Sequence, residues 1–359
     1  MKRWNLARLR AFRGKLLHWE YWPGKAFYYP LAPFILWLML RSRHICFCTA
    51  ANPGIYTGGL GLESKYDTLQ KIPPAYRPNS VLIPPAAHLA YVAQRLEEAG
   101  IGYPLIAKPD VGFRGLLVKK IDSAEELDIF LHRYPLPFIL QEYIDLPEEI
   151  GVLYYRLPGE AQGQLTSITT KAFLAVVGDG QSTVEALMQG QVRALLQLER
   201  LRAEQPALLA RVPAAGEKAV LSIVGNHAKG TRFFDSSGQI DEDITRTIDQ
   251  LAQQIEGFYY GRFDLKCASF DSLRSGQGIK VLEVNGVCSE PTHIYDAQRG
   301  TYWSAMGEIA RHWALIRRIA AANHRRGVPY MRTGALARAF LRLFAYQKRI
   351  REMERGLPE

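Results

Sequence analysis

A chain of 359 residues, 48% apolar and 22% charged, is long enough for two structural units with a full core, and it is neither disordered nor a polytopic membrane protein. Its net charge of +10 is uneven: residues 1–45 hold nine Lys/Arg and one acid (Glu20), residues 311–359 hold twelve Lys/Arg and three acids, and the stretch between them is acidic. Cys46, Cys48, Cys267 and Cys288 lack Cys-x-x-Cys spacing and no secretory cleavage pattern is evident, so they read as reduced thiols of a cytoplasmic protein.

The first predicted element is apolar and basic. Ala26 to Leu40 spans fifteen residues and contains Pro30 and Pro33, short and broken beside the roughly twenty residues a spanning helix needs. Trp19, Tyr21, Trp22, Tyr28, Tyr29 and Trp37, flanked by arginines, suit a bilayer interface. Residues 1–45 therefore read either as a peripheral anchor at the cytoplasmic face of a membrane or as a helix packed on the body, a homodimer contact being one use of it. Residues 46–85 predict one strand and a glycine-rich loop, Gly58-Gly-Leu-Gly61, which suits a plain turn better than an anion cradle.

Next, Tyr103-Pro-Leu-Ile-Ala-Lys-Pro-Asp110 predicts a strand carrying Lys108 near its end, followed by Val111-Gly-Phe-Arg-Gly115. An ammonium beside a loop where Gly112 and Gly115 let backbone N–H groups approach is suited to phosphate. Ser123 as N-cap, with Glu125 and Glu126 in the first turn, predicts a helix, and Phe138 to Ile144 a strand with Glu142 near its end. Residues 181–210 should be largely helical, and Asp241 to Glu256 a further helix. His227, in a glycine-flanked loop, is a structural residue or a substrate contact.

Two short strands follow, Gly261-Arg-Phe-Asp-Leu265 and Leu282-Glu-Val-Asn-Gly286. Residues two apart on a strand share a face, so Arg262 pairs with Asp264 and Glu283 with Asn285. If the strands pair through Gly276-Gln-Gly278, two carboxylates and an amide oxygen converge into a hard-oxygen site of the kind Mg²⁺ prefers, beside an arginine suited to phosphoryl charge. The same pattern also suits two amphipathic strands joined by a buried salt bridge. Finally, Thr333 onward predicts a basic amphipathic helix with Leu336, Phe340, Leu343, Phe344 and Ile350 on one face. No P-loop, no glycine-rich dinucleotide fingerprint, no zinc spacing and no RNA-recognition motif is present, so no nucleic-acid partner is expected.

Ala107-Lys-Pro109, Gln141-Glu-Tyr-Ile144, Gly261-Arg-Phe-Asp-Leu265 and Leu282-Glu-Val-Asn-Gly286 together give residues 86–296 a resemblance to the ATP-grasp superfamily of carboxylate–amine ligases, which includes D-alanine–D-alanine ligase and cyanophycin synthetase. The resemblance implies an α/β (α+β) fold whose two lobes sandwich ATP. It would put Lys108 on the phosphates, with Gly112 and Gly115 beside it, and Gln141, Glu142, Tyr143 and Ile144 at the hinge that holds adenine and ribose. Asp264, Glu283 and Asn285 would hold Mg²⁺, two ions being expected and Mn²⁺ a substitute. Arg262 would face an acyl-phosphate, and Lys171 would be a second phosphate contact. Thr292 and His293 would lie on the substrate side, with Glu290 or Asp296 as alternatives for a cationic amine.

The chain departs from the family in front, where residues 46–85 replace the usual preceding domain. The expected organisation is thus an anchor over 1–45, a reduced region over 46–85, the ATP-grasp domain over 86–310 and basic helices over 311–359. The expected activity is ATP-dependent joining of a small-molecule carboxylate to an amine, with a lipid-linked substrate attractive on grounds of location. An ATP-grasp phosphotransferase and a non-catalytic nucleotide-binding protein at the membrane are the rival readings.

Overall fold

The chain opens with two helices, α1 (Lys2–Leu17) and α2 (Lys25–Ser42), in the computed structural model, which describes residues 2–112 and 115–355, with side chains over 9–112 and 115–353. Phe113 and Arg114 of the expected phosphate loop lie outside the described residues. Although its prolines predict a break, α2 continues through Pro30 and Pro33. Pro30 cannot donate to the Ala26 carbonyl, and the Tyr302 hydroxyl donates to it instead at 2.6 Å. Phe27, Leu31 and Leu38 form the buried face of α2.

The strand expected in 46–85 ahead of the glycine loop is replaced by two 3₁₀ turns, Phe47–Ala50 and Tyr56–Gly58. Asn52, fully buried between them, explains the difference. Its Nδ2 donates to the Gly58 and Tyr260 carbonyls at 3.0 and 2.8 Å, and its Oδ1 accepts from the Tyr259 and Tyr260 N–H groups at 2.8 and 2.9 Å. Side-chain bonds of this kind satisfy backbone that a strand ladder would otherwise claim. The short helix α3 (Lys65–Gln70) follows, capped by Ser64.

The first lobe is a four-stranded antiparallel sheet in the order β1-β4-β2-β3, built from β1 (Ser80–Ile83), β2 (Leu105–Pro109), β3 (Lys119–Ile121) and β4 (Phe138–Glu142). Because β1 is one of its strands, this lobe begins ahead of residue 86. Helices α4 (Leu89–Glu98) and α5 (Ala124–Arg133) pack Val92, Leu96, Leu127 and Phe130 against Val81, Leu105, Phe138 and Leu140 of the sheet. Ser123 caps α5 as its sequence predicts, accepting from the Glu126 N–H.

The second lobe is a five-stranded antiparallel sheet in the order β11-β10-β5-β6-β9. Its strands are β5 (Glu148–Tyr155), β6 (Gln164–Ala172), β9 (Arg232–Asp235), β10 (Tyr260–Cys267) and β11 (Ile279–Asn285). Between β6 and β9 the chain makes a small subdomain. It pairs β7 (Ala175–Val177) with β8 (Lys218–Val220) and divides the expected helical stretch into α6 (Val184–Met188), α7 (Val192–Leu195), α8 (Leu198–Glu204) and α9 (Pro206–Ala210).

Helix α10 (Glu242–Gln253), capped by Asp241, buries Ile244, Ile248 and Leu251 against Ile150, Val152, Phe263 and Leu265 on the outer face of the large sheet. Each such side chain contributes about 1.5–3 kcal/mol by leaving water. With the apolar positions of β10 committed outward, alternation turns Arg262 and Asp264 inward. The link from β10 to β11 contains helix α11 (Phe270–Ser275) before Gly276 and Gly278, so it is longer than a glycine turn.

The chain ends in α12 (Tyr302–Arg325), against which α2 packs, and α13 (Thr333–Arg355). Helix α13 starts beside the second lobe, where the Cys46 thiol donates to Thr333 Oγ1 at 3.8 Å, and ends with Ile350 buried in the first lobe's core. Of the residues expected on one face, Leu343 and Ile350 are buried, whereas Phe344 is 60% exposed, because the helix turns Ala339, Leu343 and Ile350 inward.

Candidate active site

The lobes face each other across a cleft of about 860 Å³ lined from both sides, within the range of small-molecule and cofactor sites. Its floor is the β10–β11 pair. The register places Arg262 opposite Asn285 and Asp264 opposite Glu283, so the four polar side chains read from two separate motifs meet in the cleft. On the neighbouring strand Gly151 lies opposite Asp264. A Cβ there would come within 3.2 Å of Arg262 Cδ and 3.3 Å of Asp264 Oδ1, so this glycine leaves room for both.

Charge on this floor is tightly paired. Asp264 accepts from Arg262 Nη2 at 2.9 Å, Lys171 Nζ at 2.8 Å and Asn285 Nδ2 at 2.8 Å. Burial alone would raise its pKa, but Arg262 and Lys171 outweigh that and hold the carboxyl well below the usual range. Lys171 also donates to Glu149 at 3.0 Å; burial opposes its charge, and Asp264 and Glu149 hold its pKa above the ordinary value. Glu283 pairs with Lys65 of α3 at 2.8 Å. Burial again pushes that carboxyl upward, and Lys65 with Lys108 brings it below normal.

The roof differs. Lys108, 7% exposed, donates to Gln141 Oε1 at 3.1 Å and, across the cleft, to the Leu282 carbonyl at 3.0 Å. Neither acceptor is charged, and burial lowers its pKa to about 8. Gln141 is held in turn by donating to Ser80 Oγ at 3.1 Å. Glu142, Tyr143 and Ile144 line the same wall. Glu142 accepts from the Asn79 N–H at 3.1 Å, Lys120 and Lys266 each lie 5.4 Å from the Tyr143 ring, and the Ile144 carbonyl accepts from Lys266 at 2.8 Å. Gly112 and Gly115 open onto the cleft.

The remaining candidates separate. Thr292 lines the cleft but is buried, donating to Thr169 Oγ1 at 3.0 Å. His293 is not brought to the cleft: it faces Glu308 at 3.9 Å on α12, with burial lowering its pKa. Both lie in a 3₁₀ turn, Thr292–Tyr295, in which consecutive residues point about 120° apart and cannot share a wall. Asp296 is occupied by the Asp235 and Gln298 N–H groups at 2.9 and 3.1 Å, while Glu290 lines the cleft. The Gly58-Gly59 turn buttresses β11, its carbonyls accepting from the Val287 and Cys288 N–H groups at 3.0 and 2.9 Å. Gly59, at φ +88°, would drive a Cβ to within 2.4 Å of Gly286 Cα, so the turn's glycines serve this close approach.

Sequence reasoning missed how far the N-terminal segment reaches into the site. Glu20, Tyr21 and Trp22 line the cleft. Glu20 accepts from Arg193 and faces His227 Nε2 at 3.3 Å, and the His227 ring stacks between Tyr21 and Tyr295 at centroid distances of 6.0 and 4.9 Å. Burial holds His227 below its usual pKa despite Glu20. From α2, Tyr28 donates to Glu290 at 2.8 Å, and Tyr295 donates to the other oxygen at 2.9 Å. Lys65 and Glu149 were missed too; neither belongs to a motif, though Glu20, the only acid in the first 45 residues, stood out by charge.

The donor set suits a divalent cation. Asp264 and Glu283 offer carboxylate oxygens on facing strands, and Asn285 an amide oxygen once its amide turns, the hard-oxygen chemistry Mg²⁺ takes. The cations now bonded to those carboxylates, Arg262, Lys171 and Lys65, occupy the charge-balancing role that an ion would share.

No family model matches this sequence, and no curated protein matches it. Among solved structures, the chain is similar to a bifunctional glutathione synthetase from Pasteurella multocida (16% identity, TM-score 0.35, over 69% of this chain and 35% of that one). It is also similar to the VanG D-Ala:D-Ser ligase from Enterococcus faecalis (14%, TM-score 0.41, over 72% of this chain and 64% of that one) and to a D-alanine–D-alanine ligase from Bacillus anthracis (14%, TM-score 0.39, over 72% and 69%). The chain thus spans about a third of the first relative's length and just under two thirds of the second's.

Proposed function

We propose that this protein is an ATP- and Mg²⁺-dependent ligase of the ATP-grasp type, joining a small-molecule carboxylate to an amine through an acyl-phosphate. The observation that carries the reading is the meeting, in one cleft, of Asp264, Glu283 and Asn285 from paired strands with Lys108 from the opposite lobe. Bound Mg²⁺-ATP supplies the γ-phosphoryl group that converts a carboxylate into an acyl-phosphate, from which an attacking amine displaces phosphate to leave an amide. Asp264, Glu283 and Asn285 would hold one or two ions, with Mn²⁺ able to substitute.

The chain's own residues neutralise and position. Lys108 and Lys171 bring positive charge to the phosphates, and Gly112 and Gly115 let backbone approach them. Gln141, Glu142, Tyr143 and Ile144 form the wall against which adenine and ribose would lie. Arg262, fixed by Asp264 and by the Glu290 carbonyl at 3.0 Å, points its guanidinium at the region where acyl-phosphate charge develops. Thr292 shapes the substrate end, where Glu290, already accepting from Tyr28 and Tyr295, is the carboxylate that faces the cleft for a cationic amine; His293 is set apart from it. Holding reactants in line and cancelling charge supplies most of the rate in such chemistry.

The reading also places the enzyme in the cytoplasm, peripheral at a membrane and acting on a lipid-linked or envelope substrate. The basis is the basic, aromatic N-terminal segment; among the described residues no helix is long and apolar enough to cross a membrane. The test is phosphate release from ATP with Mg²⁺ against a panel of amino acids, peptides and amino-lipids, with Asp264→Asn and Glu283→Gln as controls. Substrate-dependent release that gives an amide by mass spectrometry and vanishes in both variants supports the ligase. A phosphorylated product would instead make it a phosphotransferase, and ATP binding without turnover across the panel would favour a nucleotide sensor.

A further inference from the structure

Helix α2 is apolar all round, yet only half of it is covered. Its inward face packs Phe27 and Leu31 on Ile294, Met306 and Ile309, and Leu38 on Phe47 and Leu315. On the opposite face Tyr29 is 67% exposed, Leu36 56%, Trp37 46% and Leu40 69%. The spacings of seven and four residues put Tyr29, Leu36 and Leu40 in one row along the helix, and Trp37, three residues before Leu40, flanks it to make a broad stripe. An apolar stripe of this length on a helix that already has its packing partner calls for another covering.

The charges around the stripe say what the covering is. Lys25 lies at the start of α2, and Arg41 and Arg43 at its end, all exposed. The Arg41 guanidinium lies 5.1 Å from the centre of the Trp37 ring, the aromatic–cation pairing of an interfacial anchor. Arg10, Arg13 and Lys15 of α1 are exposed as well, beside exposed Phe12 and Leu16. Glu20, the one acid of residues 1–45, turns inward to Arg193 and His227. What this segment shows to solvent is therefore apolar and cationic, with no acid among it.

We infer that the Tyr29–Leu36–Trp37–Leu40 stripe docks on an anionic lipid surface, the side chains entering the headgroup boundary and Lys25, Arg41 and Arg43 meeting the headgroup charge. Residues 20–24, in the link from α1 to α2, line the cleft, so the docked segment is continuous with the cleft wall. This inference builds on the peripheral placement in the proposed function and is independent of the ligase chemistry.

The test is flotation of the full chain with phosphatidylcholine vesicles, with and without phosphatidylglycerol, at low and high salt. Three proteins are compared: wild type, Leu36→Glu/Leu40→Glu, and Lys25→Gln/Arg41→Gln, whose altered side chains lie on the surface and outside the cleft. Circular dichroism and ATP binding check that each is folded. Wild type should float with phosphatidylglycerol vesicles at least about tenfold more than with phosphatidylcholine, and less at high salt. The glutamate pair should lose at least about tenfold of that binding, and the glutamine pair should lose the preference for phosphatidylglycerol. Wild type that floats with neither vesicle, or folded variants that float as wild type does, would overturn the inference. So would light scattering that shows a wild-type dimer becoming a monomer in the glutamate pair, since a second copy would then cover the stripe. A protein that binds these vesicles but turns over no substrate sinks the ligase reading and leaves this one standing; ATP turnover without vesicle binding does the reverse.

Discussion

The two walls of the cleft bury positive charge in opposite ways. On the large-lobe floor three cations are matched by carboxylates, Arg262 and Lys171 with Asp264, Lys171 also with Glu149, and Lys65 with Glu283, while Lys266 donates to the Ile144 carbonyl. On the roof Lys108 is equally buried but bonded only to a side-chain amide and a carbonyl, and its pKa falls to about 8. A paired charge holds its geometry before anything binds; a charge with neutral partners is destabilised until an anion arrives. On the proposed reading, the contrast separates a preformed floor that would hold metal and acyl-phosphate from a roof lysine that would gain most when phosphate binds.

The hardest blow to this contrast is Asp264→Asn. It should abolish ATP turnover, by at least about a hundredfold, and also leave Arg262 and Lys171 buried without their shared partner, which costs about 3–5 kcal/mol. Phosphate release and a thermal melt would read the two effects together. Lys108→Met should split them. ATP affinity should fall about 10–100-fold, the worth of a charge-assisted bond, while the melting temperature holds or rises because an unfavourably buried cation has gone. A large drop in melting temperature in this variant would show that the two walls are not different in kind.

The pH dependence carries the same contrast with a smaller effect. Below about 8 the Lys108 ammonium is charged in the free protein; above it the group is neutral and, on the proposed reading, would have to take up a proton to hold phosphate. ATP affinity, measured calorimetrically, should therefore weaken by up to about tenfold per pH unit above that point, and the trend should vanish in Lys108→Met. The unfolded chain keeps this proton up to about pH 10.4, so the Lys108 contribution to stability becomes more favourable as pH rises from about 8. Asp264 behaves oppositely: its folded pKa is depressed, so its stabilisation is full above the ordinary carboxylate value and is lost as pH falls. Smallest of all should be Thr292→Val, which removes the bond to Thr169 at a cost of about 1 kcal/mol. An increase in the substrate KM with kcat unchanged would show that Thr292 touches substrate as well as its neighbour.

What could be read from the sequence divides along similar lines. The Arg262–Asp264 and Glu283–Asn285 pairs were legible because strand alternation fixes which side chains share a face, and Phe263, Leu265 and Val284 mark the other side. Capping placed α5 through Ser123, and the acids opening the stretch from Asp241 placed α10, with Asp241 itself serving as its cap. Lys65 was illegible because its meaning lies in Glu283, far along the chain and on another element. The reach of Tyr28 to Glu290 was hidden for a different reason: an apolar run reports only that a segment avoids water, not which of its faces does so against protein. His293 shows the converse error, in which adjacency in sequence stood in for adjacency in space and a 3₁₀ turn separated the two.

Helix α13 has a mechanical consequence. It is fastened near the second lobe at Thr333 and buried in the first lobe at Ile350, and its 23 residues make a rod of about 35 Å. A rod fixed at both ends forbids the lobes to separate as freely as two shells on a single hinge. They can rock about its axis, but spreading apart requires bending the rod or drawing Ile350 out of its socket. The opening of the cleft is in that sense limited by a brace on the outside of the molecule, built from a segment that lines none of the cleft.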